Sequence, residues 1–201
     1  MNRRLLARAA SIATSIAVVG VLAGCASQDP LAEAYQNADQ NYISGDGTVL
    51  EVAESDRDEP VEFTGESETG ETISSDDFAG SPYVVNFWFA SCPPCQAEAD
   101  ALRELSEEYA AQGVPFLGVN TYDGADVAKT FAAKHDIEYP SILDASTASV
   151  QLAFAGVVAP NATPTTLVMD SQGRVAGRIS GFLAEPGILA AMIDKVLAEA
   201  E

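Results

Sequence analysis

The chain has 201 residues, with ten basic and thirty acidic side chains and a formal net charge of −20. This length accommodates one domain with additional segments. The acidic balance argues against nucleic acid as a partner, because nucleic-acid binding depends on cationic side chains. The three cysteines are Cys25, Cys92 and Cys95, and His135 is the single histidine.

The first 24 residues have the pattern of a signal peptide. Three arginines precede an apolar run over residues 9–24, which is short for a membrane span. The stretch LAGC, residues 22–25, resembles the lipobox of bacterial lipoproteins. The resemblance implies that Cys25 is lipidated and becomes the mature N-terminus, and the alternative is an uncleaved N-terminal anchor. Either way, we expect the remaining chain at the extracytoplasmic face of a bacterial cell membrane, where disulfides persist.

Residues 25–58 are predicted to form an acidic, mostly flexible tether, because they are polar and lack a clear hydrophobic period. Without residues 1–24 the net charge becomes −23. Half of the thirty acidic residues lie between residues 29 and 77, where Arg57 is the single basic residue. This composition is typical of a solvated, self-repelling spacer. A specific basic partner is the alternative interpretation.

Residues 59–201 are predicted to form the folded domain. Short β-like pieces broken by Gly65 and Gly70 predict an N-terminal β-hairpin that leads into the core. Strands and helices then alternate. The predicted strands are YVVNFWFA, VPFLGVN, PTTLVMD and RVAGRISG, and YPSILDA is predicted as a short extended piece. The predicted helices begin at PPCQAEAD, DGADVAKT, STASVQLA and PGILAAMI. The alternation favours an α/β fold with a mixed central β-sheet flanked by helices.

The stretch WFASCPPC places a C-x-x-C pair after a strand and at the start of a helix. Unpaired amide N–H groups and the helix dipole stabilise a thiolate there, so we expect the pKa of Cys92 to fall below about 8.5. Cys92, expected to be the exposed cysteine, would attack a partner disulfide, and Cys95, expected to be more buried, would resolve the mixed disulfide. Pro93 and Pro94 fix φ and stiffen the loop.

Other readings of the pair remain open at this point. A structural disulfide closes a very small loop and restrains little chain entropy. A zinc site needs four ligands, and the chain has no second C-x-x-C. A Cu(I) site built from both thiolates and His135 is compatible with soft thiolate ligands. We expect His135 to be a surface residue near a helix end, and we expect neither a metal nor a cofactor.

The stretches VVNFWFASCPPC and ATPTTLVMDSQGRVAGRISG together resemble the thioredoxin superfamily, and within it the TlpA/ResA branch of membrane-tethered thiol–disulfide oxidoreductases. The resemblance covers about residues 60–201 and includes a central helical insertion. It implies that Pro164 is cis and lies beside the cysteine pair, where it prevents metal binding. It also implies that Thr163 presents backbone groups to an extended substrate, and that Trp88 covers the pair.

Two polar residues near the pair distinguish the chain from thioredoxin itself. Asn86 stands where thioredoxin has a buried acid, and an amide cannot transfer a proton in that acid's place. Glu98, one helical turn after Cys95, matches the ResA-like pattern. It would raise a cysteine pKa or accept the proton of Cys95. The alternative is an ordinary first-turn acid that interacts favourably with the helix dipole.

The resemblance implies a reductant of exported protein disulfides, fed by a membrane thiol–disulfide electron donor, and we expect a monomer. Family analogy suggests apocytochrome c as the substrate, and therefore a role in cytochrome c maturation. An oxidase that introduces disulfides into exported proteins is the rival within the class. The rivals from other classes are a copper-binding or copper-delivery protein and a substrate-binding lipoprotein with an inert disulfide.

Overall fold

The computed structural model describes residues 42–43, 48–159 and 161–200. The predicted signal peptide, the lipidation site Cys25 and most of the predicted tether lie outside these ranges. In the described part of the chain, no helix has the length and apolar character needed to cross a membrane.

The central sheet has seven strands in the order β1-β2-β9-β8-β5-β6-β7, and β3 and β4 form a separate antiparallel hairpin. Strands β5, β6 and β7 are parallel, and the other pairings in the central sheet are antiparallel. The strands are β1 Tyr42–Ile43, β2 Val49–Glu51, β3 Thr64–Glu66, β4 Thr72–Ser74, β5 Tyr83–Trp88, β6 Phe116–Asn120, β7 Ser141–Leu143, β8 Thr165–Met169 and β9 Val175–Ser180.

Four α-helices complete the described fold, namely α1 Pro93–Ala110, α2 Ala125–Lys134, α3 Ser149–Ala153 and α4 Pro186–Glu199. Strand β5 is buried on both faces, as its continuous apolar run predicts. Val85 and Phe87 pack in the cluster that includes the hairpin side and α3, whereas Val84 packs in the cluster that includes α1 and α4. This alternation directs Asn86 and Trp88 towards the helix that carries the cysteine pair.

The predicted mixed sheet, its flanking helices and the hairpin before the core are all present in the structure. The predicted domain boundary at residue 59 is wrong, because β2 pairs with β9 and belongs to the central sheet. Arg57 is also part of the fold. Its buried guanidinium contacts Asp170 at 3.0 Å and Glu199 at 2.7 Å. The acidic composition of this segment concealed a short strand and a buried ion pair whose partners come from the C-terminal half of the chain.

Candidate active site

Cys92 and Cys95 form a disulfide at the start of α1, with an S–S distance of 2.08 Å. Cys92 is the N-cap residue, and its Sγ accepts a hydrogen bond from the Cys95 N–H at 3.2 Å. Pro93 occupies the first helical position, where a missing N–H costs nothing because that group has no partner inside the helix. The predicted arrangement of strand, C-x-x-C loop and helix is therefore present.

The expectation that Cys92 is the exposed cysteine is wrong for the disulfide state. Cys92 is 2% exposed and Cys95 is 3% exposed. Both pack in one apolar cluster with Trp88, Ala99 and Phe131. The physical reason is the N-cap geometry, which folds the Cys92 side chain back over the first turn of α1.

Trp88 lies in the same cluster as the pair and is 5% exposed. Its Nε1 donates to Ser141 Oγ at 3.1 Å, and its ring packs against Phe131 with 4.4 Å between the centroids. Since both its ring and its N–H have packing or hydrogen-bonding partners, the Trp88 side chain is fixed beside the disulfide. A small cavity is lined in part by Trp88, Cys95 and Tyr139.

Glu98 is a buried carboxylate, 1% exposed, on the helix that carries the pair. Its oxygens accept from the Asn86 side-chain amide at 3.2 Å and from the Leu183 N–H at 2.9 Å. Burial raises the pKa of Glu98 to about 7, and these two hydrogen bonds oppose the rise. Asn86 also donates to Thr166 Oγ1 at 3.1 Å, which fixes the orientation of its amide. The buried carboxylate therefore changes protonation near neutral pH.

The peptide bond between Thr163 and Pro164 is cis, in agreement with the resemblance. The Pro164 carbonyl accepts from the Gly181 N–H at 2.8 Å, which joins this loop to the end of β9. The Thr163 N–H already donates to the Asn161 carbonyl at 3.1 Å. The backbone group of Thr163 that could bind an extended substrate is therefore its own carbonyl. Thr163 also lines an open groove together with Leu152 and other residues of the α3 region.

Four large apolar side chains are strongly exposed in the described part of the chain, namely Tyr122, Val127, Leu152 and Phe182. Tyr122 and Val127 follow the carboxyl end of β6, and Phe182 follows the carboxyl end of β9. These strands run parallel to β5, whose carboxyl end leads into the cysteine pair. Three of the four exposed apolar side chains therefore lie at the edge of the sheet that carries the disulfide, and Leu152 lies on α3.

His135 does not join the cysteine pair. Its Nδ1 lies 3.2 Å from Asp100 Oδ1, and its ring packs on Phe131 with 4.6 Å between the centroids. Its side chain is 12% exposed, so it lies partly buried at the surface, and it caps the end of α2 as predicted. Packing on Phe131 accounts for the burial. No cluster of three or more His, Cys, Asp or Glu suited to a metal occurs in the described ranges.

Two residues at the site were missed by the sequence analysis. Asp123, just after β6, accepts a hydrogen bond from the Ala90 N–H at 2.6 Å. Gln96, in the first turn of α1, donates to the Ala90 carbonyl at 2.7 Å. One sequence feature could have indicated Asp123. It is an acid that follows the carboxyl end of a strand parallel to β5, and the carboxyl ends of parallel strands meet at the same edge of a sheet.

Comparisons with known proteins agree with this geometry. Residues 57–178 match the AhpC/TSA family, which is more than half of the chain. The thiol–disulfide oxidoreductase ResA of Bacillus cereus is 27% identical over 112 residues, 56% of this chain and 62% of ResA. The match thus spans less than two thirds of that relative.

Two solved structures are similar over 78% of this chain. A DsbF homologue from Corynebacterium diphtheriae is 28% identical with a TM-score of 0.65, and 98% of its chain is covered. A secreted thiol–disulfide isomerase from Corynebacterium glutamicum is 30% identical with a TM-score of 0.66, and 97% of its chain is covered.

These similarities confirm the thioredoxin-like fold and the resemblance to ResA-type oxidoreductases. They leave the individual roles of Glu98, Asn86, Trp88 and Thr163 as predictions. The family match covers the hairpin, the cysteine pair, the cis-proline and most of the central sheet. The chain therefore belongs to the AhpC/TSA family, with a thioredoxin-like fold.

Proposed function

We propose that the protein is an extracytoplasmic thiol–disulfide oxidoreductase that reduces disulfides in exported proteins. The observation that carries the proposal is the Cys92–Cys95 disulfide at the N-terminus of α1, with the buried Glu98 one turn further along the same helix. The names of the ResA and isomerase relatives support the reaction class.

The reaction is a pair of thiol–disulfide exchanges. The Cys92 thiolate attacks one sulfur of the substrate disulfide, forms a mixed disulfide and releases one substrate thiolate. Cys95 loses its proton and attacks Cys92 Sγ, which re-forms the internal disulfide and releases the second substrate thiolate. Glu98 is our candidate acceptor of the Cys95 proton, since its pKa of about 7 suits proton transfer at neutral pH. A membrane thiol–disulfide electron donor would then return two electrons to the pair.

The charge near the pair supports this direction of electron flow. A strong oxidant of this class stabilises its reduced, thiolate form. A buried carboxylate close to the cysteines acts in the opposite sense, because like charge disfavours a thiolate. Glu98 therefore favours the disulfide over the dithiol, which makes the dithiol a stronger reductant.

The apolar edge around the disulfide supports a polypeptide substrate. Exposed Tyr122, Leu152 and Phe182 suit contact with apolar side chains of an unfolded segment. Within this class we propose the C-x-x-C-H disulfide of apocytochrome c as the substrate, and so a role in cytochrome c maturation. We further propose that the protein acts as a monomer held at the membrane by lipid on Cys25.

The reduction potential of the Cys92–Cys95 couple tests the direction. Equilibration of the purified chain with glutathione buffers should give a value near that of thioredoxin, about −270 mV. A value near that of DsbA, about −120 mV, would make the protein an oxidase instead. Cys95→Ser should accumulate a mixed disulfide with a protein substrate, and Cys92→Ser, the matched control, should accumulate none.

Two further experiments test the substrate and the location. A synthetic peptide with a C-x-x-C-H disulfide should be reduced faster than a peptide in which alanine replaces the histidine. Equal rates of reduction for the two peptides would contradict the proposal that the protein prefers haem-binding segments. Cys25→Ala should move the protein from the membrane fraction to the soluble fraction, and a variant that stays with the membrane would contradict the lipid anchor.

A further inference from the structure

The loop between the end of β5 and the cysteine pair has a backbone hydrogen bond from the Cys92 N–H to the Phe89 carbonyl, and its side-chain contacts converge on Ala90. Strand β5 ends at Trp88, so the backbone of Ala90 has no place in the sheet ladder. Its N–H donates to Asp123 Oδ2 at 2.6 Å, and its carbonyl accepts from Gln96 Nε2 at 2.7 Å. Side chains from two different parts of the chain thus hydrogen-bond both backbone groups of Ala90, two positions before Cys92.

Asp123 is itself fixed by the buried end of β6. Asn120, which is fully buried, donates its side-chain amide to Asp123 Oδ2 at 3.0 Å. The Asn120 side-chain oxygen accepts from the N–H groups of Tyr122 and Asp123, at 3.1 and 2.7 Å. The carboxylate that holds Ala90 is therefore preorganised by the strand next to β5.

The ordinary task of an aspartate at this position would be to cap α2. The N-cap residue of α2 is Gly124, however, and no side-chain cap hydrogen bond is present there. The short, charge-assisted hydrogen bond of Asp123 is directed instead to the loop that carries Cys92.

We propose that Asp123 and Gln96 are positioning residues for thiol–disulfide exchange, which hold Ala90 so that Cys92 keeps its place at the N-terminus of α1. In the oxidised protein the disulfide itself restrains Cys92. Once the disulfide opens, that restraint is lost, and the two side-chain contacts to Ala90 keep Cys92 Sγ near the first amide N–H groups of the helix. The inference rests on the proposed function, since it concerns the nucleophile of that reaction.

Alkylation of Cys92 by iodoacetamide in the reduced full chain tests the proposal, with peptide mass spectrometry separating Cys92 from the other cysteines. Asp123→Ala should slow Cys92 alkylation at pH 7 roughly tenfold, because a Cys92 displaced from the helix N-terminus has a higher pKa, and a rise of about one unit lowers the thiolate fraction by that factor. Asp123→Asn keeps an acceptor for Ala90 and removes the charge, so its rate should stay within about threefold of the wild type. The pH profile of each alkylation rate gives an apparent pKa of Cys92. This pKa should be higher in Asp123→Ala than in the wild type and little changed in Asp123→Asn.

Gln96→Leu provides an independent test, because Gln96 lies on the exposed face of α1 and its loss leaves the core intact. It should slow alkylation in the same direction as Asp123→Ala. Asp126→Ala, an exposed acid in the first turn of α2, is the matched control and should leave the rate unchanged. The proposal is overturned if all variants stay within twofold of the wild type, or if Asp123→Asn falls as far as Asp123→Ala. Disulfide reduction by the wild-type chain reports separately on the proposed function.

Discussion

Replacement of Glu98 by glutamine tests the burial of its carboxylate. The pKa of Glu98 is raised from 4.5 to about 7, chiefly by burial. Between these values the folded protein holds a proton that the unfolded chain releases, so stability is lost as the pH rises. Each unit of pKa difference corresponds to about 1.4 kcal/mol. For these two pKa values, the loss between pH 5 and pH 8 is about 2.5 kcal/mol.

Glu98→Gln removes this pH-dependent loss, because the amide does not ionise. The amide can accept from only one of its two donors, Asn86 and Leu183, which costs about 1 kcal/mol at every pH. We therefore expect the variant to match the wild type within about 1 kcal/mol at pH 5. At pH 8 we expect it to be more stable than the wild type by about 2 kcal/mol.

Urea denaturation at the two pH values, with the disulfide kept oxidised throughout, measures the difference. The comparison of variant with wild type cancels the titration of all other groups that the substitution leaves unchanged. Glu108→Gln, at an exposed position on the same helix, is the matched control and should show no such pH dependence. A difference between Glu98→Gln and wild type that is the same at pH 5 and pH 8 would refute the burial argument.

Three further predictions concern the frame around the site. Arg57→Met should cost about 2 kcal/mol at pH 7, because Asp170 keeps its ion pair with Arg174 but loses its charge-assisted hydrogen bond from the buried Arg57 guanidinium. Burial alone would raise the pKa of Asp170, but its hydrogen bonds, which include the one from Arg57, lower it. The stability lost in Arg57→Met should therefore shrink below about pH 4, where the Asp170 carboxylate becomes protonated, and urea denaturation measures this change. Gly118→Ala would drive its Cβ into Ser141, and should lower stability by about 1–3 kcal/mol in the same assay. Asp144→Ala removes the carboxylate that accepts from the first N–H groups of α3 and should speed amide hydrogen exchange in that helix, with little change elsewhere.

Local patterns were sufficient to predict the loop that carries the cysteine pair. The apolar run of β5, the C-x-x-C pair and the proline at the first helical position are all within fourteen residues, and the structure arranges them as strand, loop and helix. The order of the four helices and of β5, β6, β8 and β9 was also predicted, because each has its own hydrophobic pattern, whereas β1 and β2 were missed and β7 was predicted only as an extended piece. Cys25 and the signal peptide rest on the sequence alone, as they lie outside the described residues.

The environment of each side chain depended on contacts that no local pattern contains. Glu98 is buried because Leu183, 85 residues later, closes over its carboxylate. Asp123 reaches Ala90 because parallel strands bring their carboxyl ends together.

A long-range contact also explains why the predicted N-terminal boundary of the domain was wrong. Strand β2 is part of the sheet because it pairs with β9, near the other end of the chain. The stretch WFASCPPC is enough to predict the cysteine pair and the local shape of its loop. Which groups are buried beside that loop depends on the tertiary structure, because burial and long-range hydrogen bonds arise when distant segments pack together.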